Sequence, residues 1–396
     1  MRDETHLKRR LGPWLMTGYG VGVMVGAGIY VLVGAVAAQA GIWAPLAFVL
    51  AGLIAAPSAL SYAELSSRIP EAAGEAAYVE EGLRSHALAL IVGLGIVVAG
   101  TVSAAAVLRG GAGYLTLLVP LPVEGVMIAF GLVLIGVACL GVLESVGLAV
   151  ALTLVEVVGL ALVIWAGVSA DPSPDLTPVP APHWAGIAAA ASLAFFAFIG
   201  FEDMVNMSEE MRDPIRDMPR AILAALGITA ILYLTVSYAA VRAVPLADLA
   251  RSEQPLALVW QSAGHAPGIL AAIAVAAALN GVLAQVVMAA RVLFGLGRRS
   301  PALSVFHQAH PRFGTPVLAT LLCGVAMIAL ALAAPVEQLA GITSKVLLGV
   351  FLLVNLSLVA LKSRSDYAPF KVPMAVPVVG ALVAGAALIA ALGGFS

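Results

Sequence analysis

The stretch Val21–Val33, VGVMVGAGIYVLV, decides the fold of this chain. It is apolar and uncharged, yet it contains Gly22, Gly26 and Gly28. In a bilayer every backbone N–H and C=O needs a partner, so irregular backbone persists only where it lines a cavity or is buried in protein. Glycine lets the chain leave helical geometry and lets a ligand approach the backbone closely. The stretch predicts a membrane helix that breaks near Gly26-Ala27-Gly28. The alternative is an unbroken helix whose small residues let a neighbour pack close.

The composition supports a membrane protein with many crossings. The chain has 396 residues, of which 62% are hydrophobic and 11% charged. A crossing needs roughly 20 predominantly apolar residues. Cys139 and Cys323 both fall in apolar segments, so no disulfide framework is expected. The predicted spans are residues 13–38, 43–66, 85–118, 124–141, 146–168, 185–203, 219–242, 268–296, 315–334, 337–361 and 374–394.

The distribution of Lys and Arg predicts the orientation. With the N-terminus in the cytoplasm, nearly all of the 20 Lys and Arg residues fall in inner segments, and only Arg242 and Arg251 fall in outer loops. We therefore expect a multi-pass protein of the cell membrane, with a cytoplasmic N-terminus and an extracytoplasmic C-terminus. The net charge of -2 does not indicate a nucleic-acid partner, because the charges lie in short loops.

A second irregular stretch is Ser192–Asp203, SLAFFAFIGFED. Here an apolar run meets Gly200, and two acids follow at once. Acids at membrane depth usually face a bundle interior or a water-filled cavity. The alternative is a span that ends at Ile199, but the segment from residue 185 to 199 is short for a full crossing. The sixth span is therefore also predicted to break.

The two irregular spans are five apart, which predicts an inverted repeat. Interrupted spans at corresponding positions of two halves indicate a transporter site at the midplane. There the N–H groups of a half-helix face an anion, and the carbonyl ends of the other face a cation. The fold class is an all-α membrane protein with about eleven helices. The predicted parts are a cytoplasmic tail (1–11), a first five-helix repeat (12–168), an extracellular connector (169–184), a second, inverted repeat (185–361), and an inner loop with helix 11 (362–396).

Four motifs in chain order resemble the amino acid–polyamine–organocation (APC) superfamily of transporters, which share the LeuT-type fold. The resemblance covers about residues 10 to 360, and the pattern is most similar to sodium-independent bacterial amino acid carriers. The motifs are GAGIY (Gly26–Tyr30), YAEL (Tyr62–Leu65) with Arg68 and Pro70, FAFIGFE (Phe196–Glu202) followed by EEMRDPIRDMPRA (Glu209–Ala221), and Arg291–Pro301 with Gly314-Thr315-Pro316.

The resemblance implies roles for the residues of both breaks. Backbone amides of the first break would hold a substrate carboxylate, and backbone carbonyls of the second would receive the α-ammonium. Phe196 matches an aromatic lid, and Glu202 matches an acid that some proton-linked relatives use near the outer gate. The implied substrate-binding residues are Gly26, Ala27, Gly28, Ile29, Phe196, Ala197 and Ile199.

The chain departs from the family pattern in three places. Ala27 stands where the family has serine, so it offers no hydroxyl to the carboxylate. Glu156 aligns with a Lys that replaces a sodium ion in several relatives, and an acid cannot stand in for a cation. The chain has no twelfth span, which argues against a dimer contact of the family type and leaves the oligomeric state open.

Glu156 is the candidate for ion coupling, because it lies about ten residues into the fifth span. A buried carboxyl that is neutral most of the time could carry a proton through the transport cycle. The alternatives are a structural hydrogen bond to a neighbouring helix and direct ligation of sodium. Residues 268–297 contain no Ser or Thr to supply the hydroxyl ligands of a sodium site, so proton coupling or exchange is favoured.

Other polar residues at membrane depth have two interpretations each. Lys345 could snorkel to the interface or form an outer-gate ion pair with Glu202 or Asp203, and the same choice applies to Arg109. Asn280 and Gln285 could reach the substrate or join helices. The glycines after Arg109 also predict an irregularity in the third span.

We therefore expect a secondary active transporter of amino acids that works by alternating access, coupled to protons or by exchange. The apolar surroundings of Phe196 favour neutral or hydrophobic substrates. The alternatives are a cationic amino acid or polyamine antiporter, a channel, and an intramembrane enzyme. The predicted partners are the amino acid, protons and the lipid bilayer. No HExxH or GxSxG motif occurs, and no catalytic residue, metal site or cofactor is expected.

Overall fold

The computed structural model describes residues 11–70, 74–140, 146–310, 314–365 and 367–393. Most of the predicted tail, the inner loop at residues 141–145 and the end of the last predicted span lie outside these residues. The α-helices are α1 Pro13–Ala40, α2 Ala44–Arg68, α3 Gly74–Leu83, α4 His86–Leu115, α5 Val123–Leu140, α6 Val146–Ser169, α7 Trp184–Ala194, α8 Pro214–Ala243, α9 Leu246–Arg251, α10 Pro255–Ser262, α11 Gly268–Arg299, α12 Val317–Ala333, α13 Val336–Arg364 and α14 Ala375–Leu392.

The predicted all-α fold with about eleven spans is confirmed. Within the described ranges, nine segments are long and apolar enough to cross a membrane, with the second half of α1 and α2 counted together. The helix α12 is a shorter apolar segment. Each of the eleven predicted spans overlaps one long apolar helix or, for the sixth, the interrupted segment that begins with α7.

The helix contacts follow the predicted repeat. The repeat pairs α1, α2, α4, α5 and α6 with α7, α8, α11, α12 and α13, in that order. Four of these five pairs touch directly: α1 with α7, α2 with α8, α4 with α11, and α5 with α12. Two further contacts are matched in the same way: α1 touches α8 as α7 touches α2, and α4 touches α13 as α11 touches α6. Five crossings separate equivalent helices, so equivalent helices run in opposite directions through a membrane. The exact boundaries of the repeats stay predictions.

The expected irregularity in the third span is wrong, because α4 runs unbroken through Arg109 and the two glycines after it. Its glycines serve close packing instead. A Cβ atom on Gly110 would collide with Val31 of α1, and one on Gly111 would collide with Ala278 of α11. The Arg109 guanidinium donates to the Ala331 carbonyl in the last turn of α12, 2.9 Å away. Arg109 therefore joins two helices rather than snorkelling or gating.

The chain after the second span forms the helix α3, and one face of this helix is buried. Glu75, Tyr78 and Val79 are all buried. The helix packs against both α4 and α13. One face of α3 is therefore covered by these two helices, and the acid in its first turn lies inside the protein.

A buried ion network ties α2 to the chain around α13. Glu64 accepts hydrogen bonds from Arg68 and from the Nζ of Lys362, at 2.6 and 2.7 Å. The backbone N–H of Val372 donates to the same carboxylate at 2.8 Å. Glu64 thus pairs with Arg68 one helical turn away, and Lys362, which is 298 residues away in sequence, completes the network.

We predict that Lys362→Met lowers the stability of the purified protein strongly, because it leaves a buried carboxylate with one cation fewer. Breaking a buried pair typically costs about 3–5 kcal/mol. Thermal unfolding in detergent measures the effect. As a control, Arg216→Met removes a partner of Asp213 from an exposed pair and should change little. Equal melting temperatures for the wild type and Lys362→Met would contradict this role.

Candidate substrate site between the two broken helices

The helix α1 breaks where the glycines predict. Gly26 has φ 18° and ψ -151°, which is far from helical geometry, and helix resumes on both sides. Gly26 faces Gly281 of α11, since a Cβ atom on Gly26 would lie 3.9 Å from the Gly281 Cα. The helical segment after the break begins with backbone N–H groups that have no partner in their own helix, which is the geometry of an anion site.

The second break comes directly after α7 and also involves a glycine. The helix α7 ends at Ala194 and tightens into a 3₁₀ turn over Phe195–Phe198. Ile199 is then extended, and Gly200 has φ +129°, a conformation that favours glycine. The chain continues as a 3₁₀ segment, Asp203–Glu210, which we call the inner limb.

The two breaks face each other. A Cβ atom on Gly28 would lie 3.5 Å from the Cα of Ala197, and one on Gly200 would lie 2.8 Å from the Val23 side chain. Small residues therefore bring the backbones of the two irregular segments together on both sides of the break. The sequence predicts each break separately, and the contact between them becomes visible only in the folded structure.

Tyr233 of α8 bridges the two breaks. Its hydroxyl lies 2.6 Å from the Met24 carbonyl and 2.7 Å from the Ala197 carbonyl. Since a hydroxyl has one proton, it donates to one of these oxygens or is shared between them. The ring packs edge-on against Phe198, with centroids 5.0 Å apart. Tyr233 is fully buried and fixes the positions of both irregular segments at once.

Six of the predicted substrate residues are closed off from solvent in this conformation. Ile29, Phe196, Ala197 and Ile199 are buried, as are the two glycines of the first break. The Phe196 carbonyl accepts the N–H of Ile199 at 3.2 Å. The Ala197 carbonyl carries the contact with Tyr233. Carbonyl oxygens have two lone pairs, so these contacts leave acceptor capacity for an ammonium group.

Glu156 lies beside the first break. Its Oε1 accepts a hydrogen bond from the Asn280 amide, 3.0 Å away, and Asn280 precedes the glycine that faces Gly26. Its Oε2 is buried and has no hydrogen-bond partner in the described part of the chain. The Glu156 backbone carbonyl accepts from the Tyr30 hydroxyl at 3.0 Å, which ties α6 to α1. Asn280 therefore joins α11 to α6, which was one of the two roles considered for it.

The acids after the second break have partners of their own. The Glu202 carboxylate accepts the N–H of Gly200 at 2.9 Å, and the Gln285 amide donates to Asp203 at 2.7 Å. A cavity of about 10 Å³, roughly the space for one water centre, borders Glu202, Asp203 and Gln285. Gln285 therefore joins α11 to the inner limb.

The predicted gate pair is not formed in this conformation. Among the described residues no ion pair joins Lys345 to either acid, because Glu202 and Asp203 bond to the partners just named. Lys345 lies on α13, two residues from Leu347, which borders the same cavity as Glu202. The gate roles of Phe196, Glu202 and Lys345 stay predictions.

Comparison with known proteins identifies the family. Residues 11–395 match the profile of a family described as amino acid permease. The chain is 30% identical to the branched-chain amino acid permease BcaP of Bacillus subtilis, over an alignment that covers 96% of this chain and 86% of that protein. The chain belongs to the amino acid permease family. The predicted superfamily resemblance is thereby confirmed, and the permease is a multi-pass membrane transporter rather than an enzyme.

Other relatives of the permease differ in what their names say they carry. It is 28% identical to the methylthioribose transporter of Bacillus subtilis, over an alignment that covers 96% of this chain and 87% of that protein. It is 30% identical to the chloroplastic cationic amino acid transporter 9 of Arabidopsis thaliana, over 77% of this chain and 58% of that protein. The family is therefore shown, and the choice among its substrates depends on the site.

Sequence reasoning missed the tyrosines that hold the permease site. Tyr233 links the breaks, Tyr30 bonds to α6, and the Tyr114 hydroxyl donates to the Tyr30 carbonyl at 2.8 Å. The signal is available in the sequence, since each tyrosine lies inside an apolar segment and a buried hydroxyl usually finds a partner. The sequence does not show which group that partner is, because the partners lie on other helices.

We predict that Tyr233→Phe lowers the rate of amino acid exchange about tenfold, because one hydrogen bond worth about 1 kcal/mol or more is lost at the contact of both breaks. The ring remains to pack against Phe198. Exchange of labelled substrate in proteoliposomes measures the rate. Tyr238→Phe on the exposed face of the same helix is the matched control and should leave the rate unchanged. Equal rates for both variants would contradict the bridging role.

We also predict that substrate binding survives alanine at position 28 but not a larger side chain. A Cβ atom there meets Ala197 at an ordinary contact distance of 3.5 Å, so Gly28→Ala should still bind substrate. In Gly28→Leu the longer side chain has to occupy the space against Ala197 and Phe196, so binding should be lost while the protein still inserts and folds. Thermal shift with added amino acid tests both variants. Unchanged affinity in Gly28→Leu would remove the proposed carboxylate site.

Proposed function

We propose that the permease carries neutral, apolar amino acids across the cell membrane by alternating access. The observation that supports this most directly is the contact between the two breaks, where Gly28 lies against Ala197. A substrate placed there meets the N–H groups at the start of a half-helix on one side and carbonyl oxygens on the other. An α-amino acid carries its two charges at the matching ends, so both would be satisfied without a charged side chain.

The surroundings of the breaks favour an apolar side chain on the substrate. Ile29, Phe196, Phe198 and Ile199 are apolar and buried. Apolar walls with a few placed polar groups are typical of small-molecule sites. The branched-chain amino acid permease BcaP is among the relatives, and its named substrates fit these walls. We therefore assign Gly26, Ala27, Gly28, Ile29, Phe196, Ala197 and Ile199 as the substrate-binding residues, with Phe196 as the lid.

The second candidate is a cationic amino acid, as in the Arabidopsis relatives that carry that name. The observation in its favour is the pair Glu202 and Asp203, which lies just beyond Ile199 at the edge of a small cavity. Against it, Glu202 and Asp203 already accept hydrogen bonds from Gly200 and Gln285. A lysine side chain reaching them would have to displace those donors.

We propose proton coupling through Glu156. A carboxyl buried with one amide donor and no cation is costly to keep ionised. Its neighbour on α11 is Asn280, and no hydroxyl from that helix contributes to a sodium site, because residues 268–297 contain no Ser or Thr. Proton movement between Glu156 and water would then accompany the opening of the first break, which lies beside it. The same residue could support plain exchange when no proton gradient exists.

We propose the orientation that Lys and Arg predict, with the N-terminus in the cytoplasm and the C-terminus outside. In this orientation the connector before α7 is extracellular. The inner limb and α3 then lie on the cytoplasmic side of the substrate site. The side of each terminus can be tested by labelling single cysteines in intact cells, in a background where both native cysteines, which are free, are replaced.

Substrate choice is tested with purified permease in proteoliposomes. Leucine, lysine and methylthioribose are supplied separately, with an inward proton gradient. Accumulation of leucine above its external concentration supports the proposal, and it also excludes a channel, since a channel cannot concentrate its substrate. Accumulation of lysine alone would instead favour the cationic substrate, and accumulation of methylthioribose alone would overturn the amino acid assignment.

We predict that Glu156→Gln abolishes the response of leucine uptake to a proton gradient while leaving leucine exchange at equal pH largely intact. Glutamine keeps the shape and the contact with Asn280 but cannot bind and release a proton. Uptake and exchange in the same proteoliposomes separate the two effects. Glu124→Gln, at the exposed start of α5, is the control. A gradient response like that of the wild type would remove Glu156 from the coupling.

A further inference from the structure

Three carboxyl groups are buried together on the α3 side of the substrate site. Glu75, Glu202 and Asp203 are 3%, 1% and 4% exposed. Asp203 begins the inner limb, Glu202 directly precedes it, and Glu75 comes from the first turn of α3. Asp203 is within electrostatic range of Glu75. Buried acids are almost always paired, so this cluster requires an explanation.

The amino end of α3 is seated directly on the inner limb. Gly74 has φ +49°, and a Cβ atom there would lie 2.6 Å from the side-chain oxygen of Asn206. The next residue is Glu75, whose Oε1 is buried without a hydrogen-bond partner in the described ranges. The contact between α3 and the broken helix therefore carries an acid at its centre.

Tyr62 of α2 points into the same cluster. Its hydroxyl is fully buried beside the Glu75 carboxyl. Glu75, Glu202 and Asp203 all act on it electrostatically. Its ring is fixed by edge contacts with Tyr78 and Phe201, at 6.1 and 5.6 Å between centroids. A fixed hydroxyl among three carboxyls is a polar group placed to share a proton with them.

Four basic residues of the neighbouring helices bind other partners. Lys362 of α13 binds Glu64, Arg364 binds the carbonyls of Glu81 and Gly82, and Arg299 of α11 pairs with Glu80. Arg68 of α2 also binds Glu64. The titratable groups that interact with Glu75 are Tyr62, Glu202 and Asp203. Within the described residues, no group of three acids, histidines or cysteines is arranged to hold a metal ion.

A proton is therefore the cation that fits the cluster. Like charges in one buried site cannot all ionise, so such groups share protons. The small cavity beside Glu202 and Asp203 has room for about one water molecule that could deliver one. Burial, with a smaller effect of Asp203, raises the pKa of Glu75 from 4.5 to about 8. The charge on this residue would change in the physiological range.

We propose that Glu75, Glu202 and Asp203, with the hydroxyl of Tyr62, form a proton-binding site separate from Glu156, and that a bound proton keeps α3 seated on the inner limb. Loss of the proton to water leaves like charges facing each other across this contact and loosens it. The site would thus adjust the movement of the inner limb to pH. This inference rests on the proposed function, because it assigns the proton to a step of the transport cycle.

The sign of the effect on stability follows from Glu75. An exposed carboxyl in the unfolded chain loses its proton near pH 4.5, whereas Glu75 in the folded permease keeps it up to about pH 8. Between these values the folded state binds more protons, so the free energy of unfolding falls as the pH rises. Above about pH 8 the contribution is constant.

The first test is the rate of leucine exchange in proteoliposomes with the same pH on both sides, which does not require net proton movement. We expect the wild-type rate to fall about tenfold between pH 7 and pH 9, as for one group that titrates near 8. In Glu75→Gln the fall should be less than about twofold, since glutamine has no proton to lose. The matched control, Glu81→Gln, lies on the exposed side of α3 and should follow the wild type.

The second test does not depend on transport. The melting temperature of the purified wild type should fall between pH 5.5 and pH 8.5 by more than that of Glu75→Gln, while Glu81→Gln should match the wild type. Identical pH profiles of Glu75→Gln and Glu81→Gln in both tests would overturn the proton site and leave amino acid transport standing. If no amino acid is exchanged by the wild type, the proposed function fails, and the melting temperatures still decide the proton site.

Discussion

The structure depends on one constraint, which is that a backbone polar group inside a bilayer must have a partner. Two helices of this permease are interrupted, at Gly26 and after Ala194, so some of their backbone groups have no partner in their own helix. The surrounding protein compensates for these interruptions. The breaks are placed against each other, so irregular backbone is enclosed by protein. Tyr233 then bonds to a carbonyl from each break. What remains is a set of backbone ends of opposite polarity, buried at the centre of the bundle.

The polar side chains around the breaks form two separate groups. On one side Glu156 bonds to Asn280 and lies next to the first break. On the other, Asp203 bonds to Gln285 and lies close to Glu75. Both groups use an amide of α11, which therefore contacts both breaks. A movement of the inner limb relative to α11 has to disturb the hydrogen bond between Gln285 and Asp203, and a movement of α6 relative to α11 has to disturb the one between Asn280 and Glu156.

The sequence predicts the breaks well because their cause is local. Glycines in an apolar run, and acids directly after one, are features that a bilayer tolerates only for a reason. The same reasoning fails for α4, where Gly110 packs against Val31 and the helix stays straight. Glycine permits both a break and a close helix contact, and only the neighbouring helix decides between them. The burial of α3 likewise depends on its neighbours α4 and α13.

The partners of polar groups are the part that sequence could not provide. Arg68 pairs with Glu64 from one turn away, a spacing that the sequence shows, but Lys362 comes from a distant helix. Tyr233 and Glu75 were not singled out, although both are buried polar residues. Local spacing fixes contacts within a helix, whereas contacts between helices depend on how the whole bundle packs.

The central claim is that both charged ends of a free amino acid are held by the backbone at the two breaks. The most direct measurement is competition with labelled leucine by two analogues, leucinol without the carboxylate and 4-methylpentanoate without the amine. Each analogue loses a charge-assisted hydrogen-bond set worth about 1.5–3 kcal/mol, so each should bind more than about tenfold more weakly than leucine. Competition by either analogue at the same concentration as leucine would contradict the account.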